Sequence, residues 1–165
     1  MNKFPRSAYV HIPFCHRRCF YCDFSVIPLG NKVETLQGYG SKTVKEYLHF
    51  LYKEILSIKH KSPLSTIYLG GGTPSILDPK QIKELIDLFK ENYGIDYGAE
   101  ITMEVDPASF NKDDLYGFIN AGINRFSLGV QSFNNQILQK SGRRHLREDA
   151  EKSCLWLKRE YDSGL

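Results

Sequence analysis

The sequence predicts an α/β fold made of four consecutive βα units. Two observations carry this. Short apolar runs alternate four times with amphipathic stretches along the 165 residues, and glycines such as Gly70, Gly94 and Gly122 mark the junctions between them. Strands that alternate with helices pair in parallel through right-handed crossovers.

Ala8-Tyr9-Val10-His11-Ile12 reads as the first strand, followed by a loop with three cysteines that closes near Pro28-Leu29-Gly30. From about Lys42 to Lys59, Val44, Tyr47, Leu48, Leu51, Ile55 and Ile58 recur at helical spacing and form one apolar stripe. Thr66-Ile67-Tyr68-Leu69 is the second strand, stopped by Gly70-Gly71-Gly72. Asp78 caps the next helix with Pro79 at its first position; its stripe is Ile82, Leu85, Ile86 and Phe89, and Gly94 ends it. Glu100 to Val105 forms the third strand. Asn111 caps a short helix carrying Leu115, Phe118 and Ile119, which runs out at Gly122. The fourth strand is Arg125 to Val130, with a short helix near Asn134–Gln139 and a longer one from about Arg147 to Tyr161. Four such units make half a barrel, whereas a full eightfold barrel takes about 250 residues. The expectation is one domain over residues 1–165, truncated before its later strands, with an open edge on the fourth strand.

The composition, 41% hydrophobic and 25% charged, is that of an ordinary globular chain. Its net charge of +3 is spread out. The densest basic runs, His16-Arg17-Arg18 and Arg143-Arg144-His145, are too short to suggest a nucleic-acid surface. No stretch reaches the roughly 18 apolar residues of a membrane span. Met1-Asn2-Lys3-Phe4-Pro5-Arg6 lacks the apolar core of a signal peptide, so a cytoplasmic protein is expected. In that reducing compartment, four cysteines argue for metal or redox chemistry rather than disulfides.

Three of those cysteines, Cys15, Cys19 and Cys22, form C-x3-C-x2-C directly after a strand. Thiolates this close can each hold one iron of a [4Fe–4S] cube, which leaves the fourth iron open to a ligand. Arg17 and Arg18 add positive charge that favours thiolates. A zinc site completed by His11 or His16 is the competing reading. Cys154 lies on the stripe Ala150, Cys154, Leu157, Tyr161 and reads as a buried core thiol. Gly71 and Gly72 remove side chains where a ligand can approach the backbone, or simply make a turn. Glu104 is an acid on an apolar strand, or a strand-end carboxylate facing water.

C-x3-C-x2-C with an aromatic before the third cysteine resembles the radical S-adenosylmethionine (SAM) superfamily. Tyr9-Val10-His11-Ile12-Pro13-Phe14-Cys15 resembles its HemN/HemW branch of oxygen-independent coproporphyrinogen III dehydrogenases and related heme chaperones. The resemblance continues through Gly70-Gly71-Gly72-Thr73-Pro74, Glu104-Val105-Asp106-Pro107, Gly129-Val130-Gln131-Ser132-Phe133 and Gly142-Arg143-Arg144-His145.

It implies the N-terminal half of a partial (β/α) barrel, with a [4Fe–4S] cluster on the three cysteines and SAM on the open iron. Electron transfer to SAM then gives a 5′-deoxyadenosyl radical. It also implies that Gly71, Gly72, Thr73 and Glu104 line the SAM site, with Tyr9 and Tyr21 near the cofactor or simply packing, and that Gln131 and Arg143 match positions touching a second SAM. His11 matches a strand histidine, packed or chemical. The dehydrogenases usually carry a fourth cysteine two residues past the third; here that position is Phe24. Cys22-Asp23-Phe24 and Gln131-Ser132-Phe133 are closer to the chaperones. The resemblance therefore implies a heme chaperone that binds heme and passes it to acceptor proteins. The alternatives are the coproporphyrinogen III oxidase itself and an inactive fragment. Heme or a porphyrinogen is the implied ligand, and a flavodoxin or ferredoxin the implied electron donor.

Overall fold

A computed structural model describes residues 4–30, 42–58 and 62–163. Six strands are present among them: β1 (Ser7–Ile12), β2 (Phe14–Cys15), β3 (Ile27–Pro28), β4 (Leu64–Gly71), β5 (Ile95–Val105) and β6 (Arg125–Leu128). Five α-helices accompany them: α1 (Lys42–Ser57), α2 (Pro79–Asn92), α3 (Lys112–Asn120), α4 (Asn135–Lys140) and α5 (Arg147–Asp162). The main sheet has the order β1-β4-β5-β6 with every pairing parallel, and β2 and β3 form a small parallel ladder of their own. The parallel α/β architecture expected from the sequence is the one observed.

Side chains alternate between the two faces of a strand. Val10 and Ile12, Ile67 and Leu69, and Ile101, Met103 and Val105 are buried on one face under the helices. Ile82, Leu85, Ile86 and Phe89 of α2 and Leu115 and Phe118 of α3 meet them. Each such burial stabilises the fold by about 1.5–3 kcal/mol. The opposite face is polar and open, carrying Tyr9, Tyr68, Glu104 and Ser127.

Local signals set the helix boundaries. The Asp78 carboxylate accepts from the backbone while the Gln81 side chain accepts from the Asp78 N–H, a reciprocal cap at the start of α2. Asn111 and Asp114 cap α3 in the same way. Gly94 and Gly122 follow the two helices with φ of 78° and 107°, backbone angles that few other residues adopt.

Three boundaries and three side chains depart from expectation. β4 and β5 start earlier than the apolar pattern suggested, because an irregularity in their register at Leu64/Thr66 lets Ile95 pair with Leu64. Paired residues of β6 end at Leu128 rather than Val130, level with Val105 at the end of β5. Ile58 lies just past the end of α1 and is 53% exposed. Cys154 is only half-buried. The buried positions of α5 are Ala150 and Ser153, one helical step from Cys154, and Tyr161 is exposed.

Gly117 sits inside α3, where alanine normally gains about 1 kcal/mol of helix propensity. A Cβ there would lie 2.5 Å from Cβ of Pro79, whose ring is fixed at the start of α2. Gly117→Ala is therefore expected to destabilise the chain by about 1–3 kcal/mol in urea unfolding, the cost of overpacking. A stabilised variant would show that the α2–α3 contact is looser than described.

Candidate functional site

Parallel register brings the C-terminal ends of the strands to one edge: Ile12 pairs with Gly71, and Val105 with Leu128. The cysteine loop folds over that edge. Its far end returns beside its start through Ile27 N–H to Pro13 O (2.7 Å), Leu29 N–H to Cys15 O (2.8 Å) and Gly30 N–H to His16 O (2.8 Å). The glycine turn after β4 holds it from below. Gly72 N–H donates to Ile12 O and Thr73 N–H to Phe14 O, each at 2.8 Å.

The glycines are needed for this contact within the chain. A Cβ on Gly72 would lie 2.6 Å from Phe14 O and 3.0 Å from Cys15 Sγ. Gly71 has φ of 113°, and a Cβ there would meet the His11 ring at 2.6 Å.

A cleft of about 280 Å³ opens between loop and strand ends. Cys15, Cys19, Cys22, Tyr21, Gly71, Gly72, Thr73, Glu104, Gln131 and Arg143 all line it, as does Phe24. Tyr9 is not brought in. It is 59% exposed, stacks on Tyr68 with ring centroids 5.9 Å apart, and borders a second pocket between β1 and α1.

All three loop cysteines are free, half-buried thiols. Burial pushes the Cys15 thiol up; a hydrogen bond from Thr73 Oγ1 at 3.4 Å pulls it back, and the nearby sulfurs of Cys22 and Cys19 raise it further. Cys19 Sγ accepts from the Arg143 guanidinium at 3.8 Å. That guanidinium is paired with Asp106. Burial works against the Arg143 charge, but Asp106, Tyr21 and Cys19 outweigh it and hold its pKa above the ordinary value.

Both oxygens of Glu104 are engaged: Oε1 accepts from Tyr68 Oη at 2.7 Å and Oε2 from Gly71 N–H at 3.2 Å. The bond to Glu104 raises the Tyr68 pKa, with burial adding to it. Gln131 has φ of 62°, and Ser132 N–H donates to Val130 O across it at 2.7 Å. This is a strained γ-turn at the cleft wall.

The zinc reading needs a fourth ligand from His11 or His16. His11 has its ring nitrogens 3.3 Å from Tyr9 Oη and 3.4 Å from Ser25 O, pointing to a packed histidine. Among the described residues, no three His, Cys, Asp or Glu side chains lie close enough to hold one metal ion. Three thiols around a roomy cleft, two of them accepting hydrogen bonds at sulfur, fit a cluster whose irons are ligated separately.

Sequence reasoning assigned no role to Tyr68, Asp106 or His145. The last two stood inside quoted motifs, Glu104-Val105-Asp106-Pro107 and Gly142-Arg143-Arg144-His145. Tyr68 stood at a strand position that alternation places on the same face as Glu104.

The family model of the radical SAM superfamily matches residues 9–163. The chain belongs to that superfamily. Membership in this family implies a [4Fe–4S] cluster and SAM. Among curated relatives, a heme chaperone HemW from Synechocystis sp. is 41% identical over 157 residues, covering 94% of this chain and 37% of its own length. An oxygen-independent coproporphyrinogen III oxidase from Salmonella typhimurium is 40% identical over 139 residues, covering 81% of this chain and 28% of its own length. The solved structure of coproporphyrinogen III oxidase (HemN) from Escherichia coli, a radical SAM enzyme, superposes with a TM-score of 0.74 at 34% identity. That match covers 88% of this chain and 32% of the solved one. The chain thus spans about a third of the relatives it matches. No helix among the described residues is long and apolar enough to cross a membrane.

Gly72→Ala pushes a methyl into the Phe14 carbonyl. The expected result is faster alkylation of Cys15 in the iron-free chain, with about 1–3 kcal/mol lost in urea unfolding. Unchanged alkylation and stability would mean that the loop does not rest on this turn.

Proposed function

We propose that Cys15, Cys19 and Cys22 ligate a [4Fe–4S] cluster and that SAM occupies the adjoining cleft. We further propose that the parent protein is a heme chaperone of the HemW type. The observation that carries the site is the gathering of the three thiols, the Gly71-Gly72-Thr73 turn and the Glu104 carboxylate around one cleft. Held by Cys15, Cys19 and Cys22, the cluster would supply one-electron reduction to SAM in the adjoining cleft.

The chain's own residues have simpler tasks. Gly71 and Gly72 keep the floor of the cleft free of side chains, and Thr73 steadies the Cys15 sulfur. Glu104, with its direction fixed by Tyr68 and the Gly71 N–H, offers a carboxylate to the hydroxyl or amino groups of SAM. Tyr21 and the strained Gln131 form the outer wall, Gln131 with its side chain free to turn toward a ligand.

For the chaperone reading, support comes from Phe24 and from the identity to the Synechocystis HemW. Phe24 stands where the dehydrogenases place a fourth cysteine. Its ring is 59% exposed and lines the cleft, so the position offers an apolar surface in place of a thiol. Heme would be the cargo, heme-binding proteins its acceptors, and a flavodoxin or ferredoxin the low-potential electron donor. A cytoplasmic setting suits four free cysteines.

The second reading, oxidative decarboxylation of coproporphyrinogen III to vinyl side chains, is favoured by the 40% identity to the Salmonella oxidase.

Two assays on the anaerobically reconstituted chain separate these readings. Heme titration followed by absorbance is expected to saturate at one heme per chain. Incubation with coproporphyrinogen III, SAM and dithionite is expected to give no vinyl product by mass spectrometry. Product formation would overturn the chaperone reading in favour of the oxidase.

A further inference from the structure

Arg143 matches a position that touches a second SAM in HemN-type enzymes, yet here its side chain faces inward. A guanidinium has five N–H donors in a fixed planar fork. Five acceptors surround it. Nε reaches His145 Nδ1 at 3.4 Å, and Nη1 reaches Tyr21 Oη at 3.3 Å and Cys19 Sγ at 3.8 Å. Nη2 reaches Gly129 O at 2.7 Å and is paired with the Asp106 carboxylate.

The supports of Arg143 are themselves fixed. His145 is fully buried, and its Nε2 lies 2.9 Å from Val130 O. A carbonyl can only accept, so Nε2 carries the proton and Nδ1 is left to accept from Arg143. The other Asp106 oxygen accepts from Ala108 N–H at 3.0 Å.

Neighbouring backbone acts on the same loop. Phe20 N–H donates to Ser141 O at 3.0 Å, and the Arg17 guanidinium donates to Arg143 O. Gly142, at φ of 79°, lets the strands of chain meet: a Cβ there would lie 3.2 Å from Phe20 N. Thr73 and β3 hold the Cys15 side of the loop, while the 141–143 segment holds Arg17, Cys19, Phe20 and Tyr21.

We infer that Arg143 is a positioning residue: it braces the cysteine loop against the ends of β5 and β6, donates to the Cys19 sulfur, and so leaves no donor for a second SAM. Hydrogen bonds to ligand sulfurs raise a cluster's reduction potential, because they favour the electron-rich reduced form. This inference rests on the cluster assignment proposed above, except for the bracing itself, which is a property of the protein alone.

The test compares the full 165-residue chain with Arg143→Lys, which keeps a charge but loses the fork, and with Asp106→Asn, which removes the anion and keeps the arginine. Hydrogen exchange on the iron-free chains reads bracing without any cofactor. Both variants are expected to speed exchange at the Phe20 and Cys22 amides, by about 10-fold for Arg143→Lys, with α2 unchanged. After reconstitution, spectroelectrochemical titration is expected to place the Arg143→Lys cluster at a more negative potential. Equilibrium dialysis is expected to give one SAM per cluster in wild type and variants alike. Wild-type loop exchange and potential in both variants, with bound SAM falling from two to one in Arg143→Lys, would overturn the inference. Should Arg143→Lys not fold, Asp106→Asn carries the same comparison. A wild type that takes up no iron would count against the cluster assignment, while the exchange data would still decide the bracing.

Discussion

The contact of the Gly72 backbone with Phe14 is the constraint on which the rest of the site depends. A backbone pair this close is open only to glycine, since a Cβ would sit 2.6 Å from the Phe14 oxygen. It seats the start of the cysteine loop on the turn after β4 and puts the Thr73 hydroxyl beside the Cys15 sulfur. The parallel register of β1 and β4 sets up this contact by placing Ile12 opposite Gly71. Sheet, turn and thiol are therefore one mechanical unit, and a displacement in any of them moves the sulfur.

The sheet also separates two environments. Its helix-covered face takes the apolar side chains, and its open face is left to Tyr9, Tyr68, Glu104 and Ser127. A carboxylate on an open face needs partners to keep one direction, and Glu104 has one for each oxygen. The loop thiols follow the same logic: Cys15 receives a donor from the β4 turn, and Cys19 one from Arg143, which Asp106 at the end of β5 pairs in turn. The strand ends thus reach the cysteine loop from two sides, the arrangement expected of parallel α/β sheets with their sites at carboxyl ends.

Much of this was legible in the sequence, because its signals are local. Asp78-Pro79 and Asn111 are caps whose partners lie within three residues, and C-x3-C-x2-C places its three thiols within eight. Gly71, Gly72, Thr73 and Glu104 stood at strand ends, so the parallel order alone brought them together. What was missed needs tertiary information. Cys154 and Ser153 differ by one helical step, and periodicity alone did not fix which of them turns inward. Tyr9, matched to a position near the cofactor or simply packing, stacks on Tyr68, a partner on the neighbouring strand that no local signal names. Arg143 and Cys19 are 124 positions apart, and nothing near either one announces their contact.

This half-barrel edge is proposed to build a site for a cluster and SAM together. Electron paramagnetic resonance of the anaerobically reconstituted, dithionite-reduced chain, recorded with and without SAM, tests it most directly. A [4Fe–4S]+ signal is expected whose g-values shift when SAM is added and which is lost when Cys15, Cys19 or Cys22 is replaced by serine. Tightly bound zinc with no cluster signal, or a cluster signal indifferent to SAM, would contradict it.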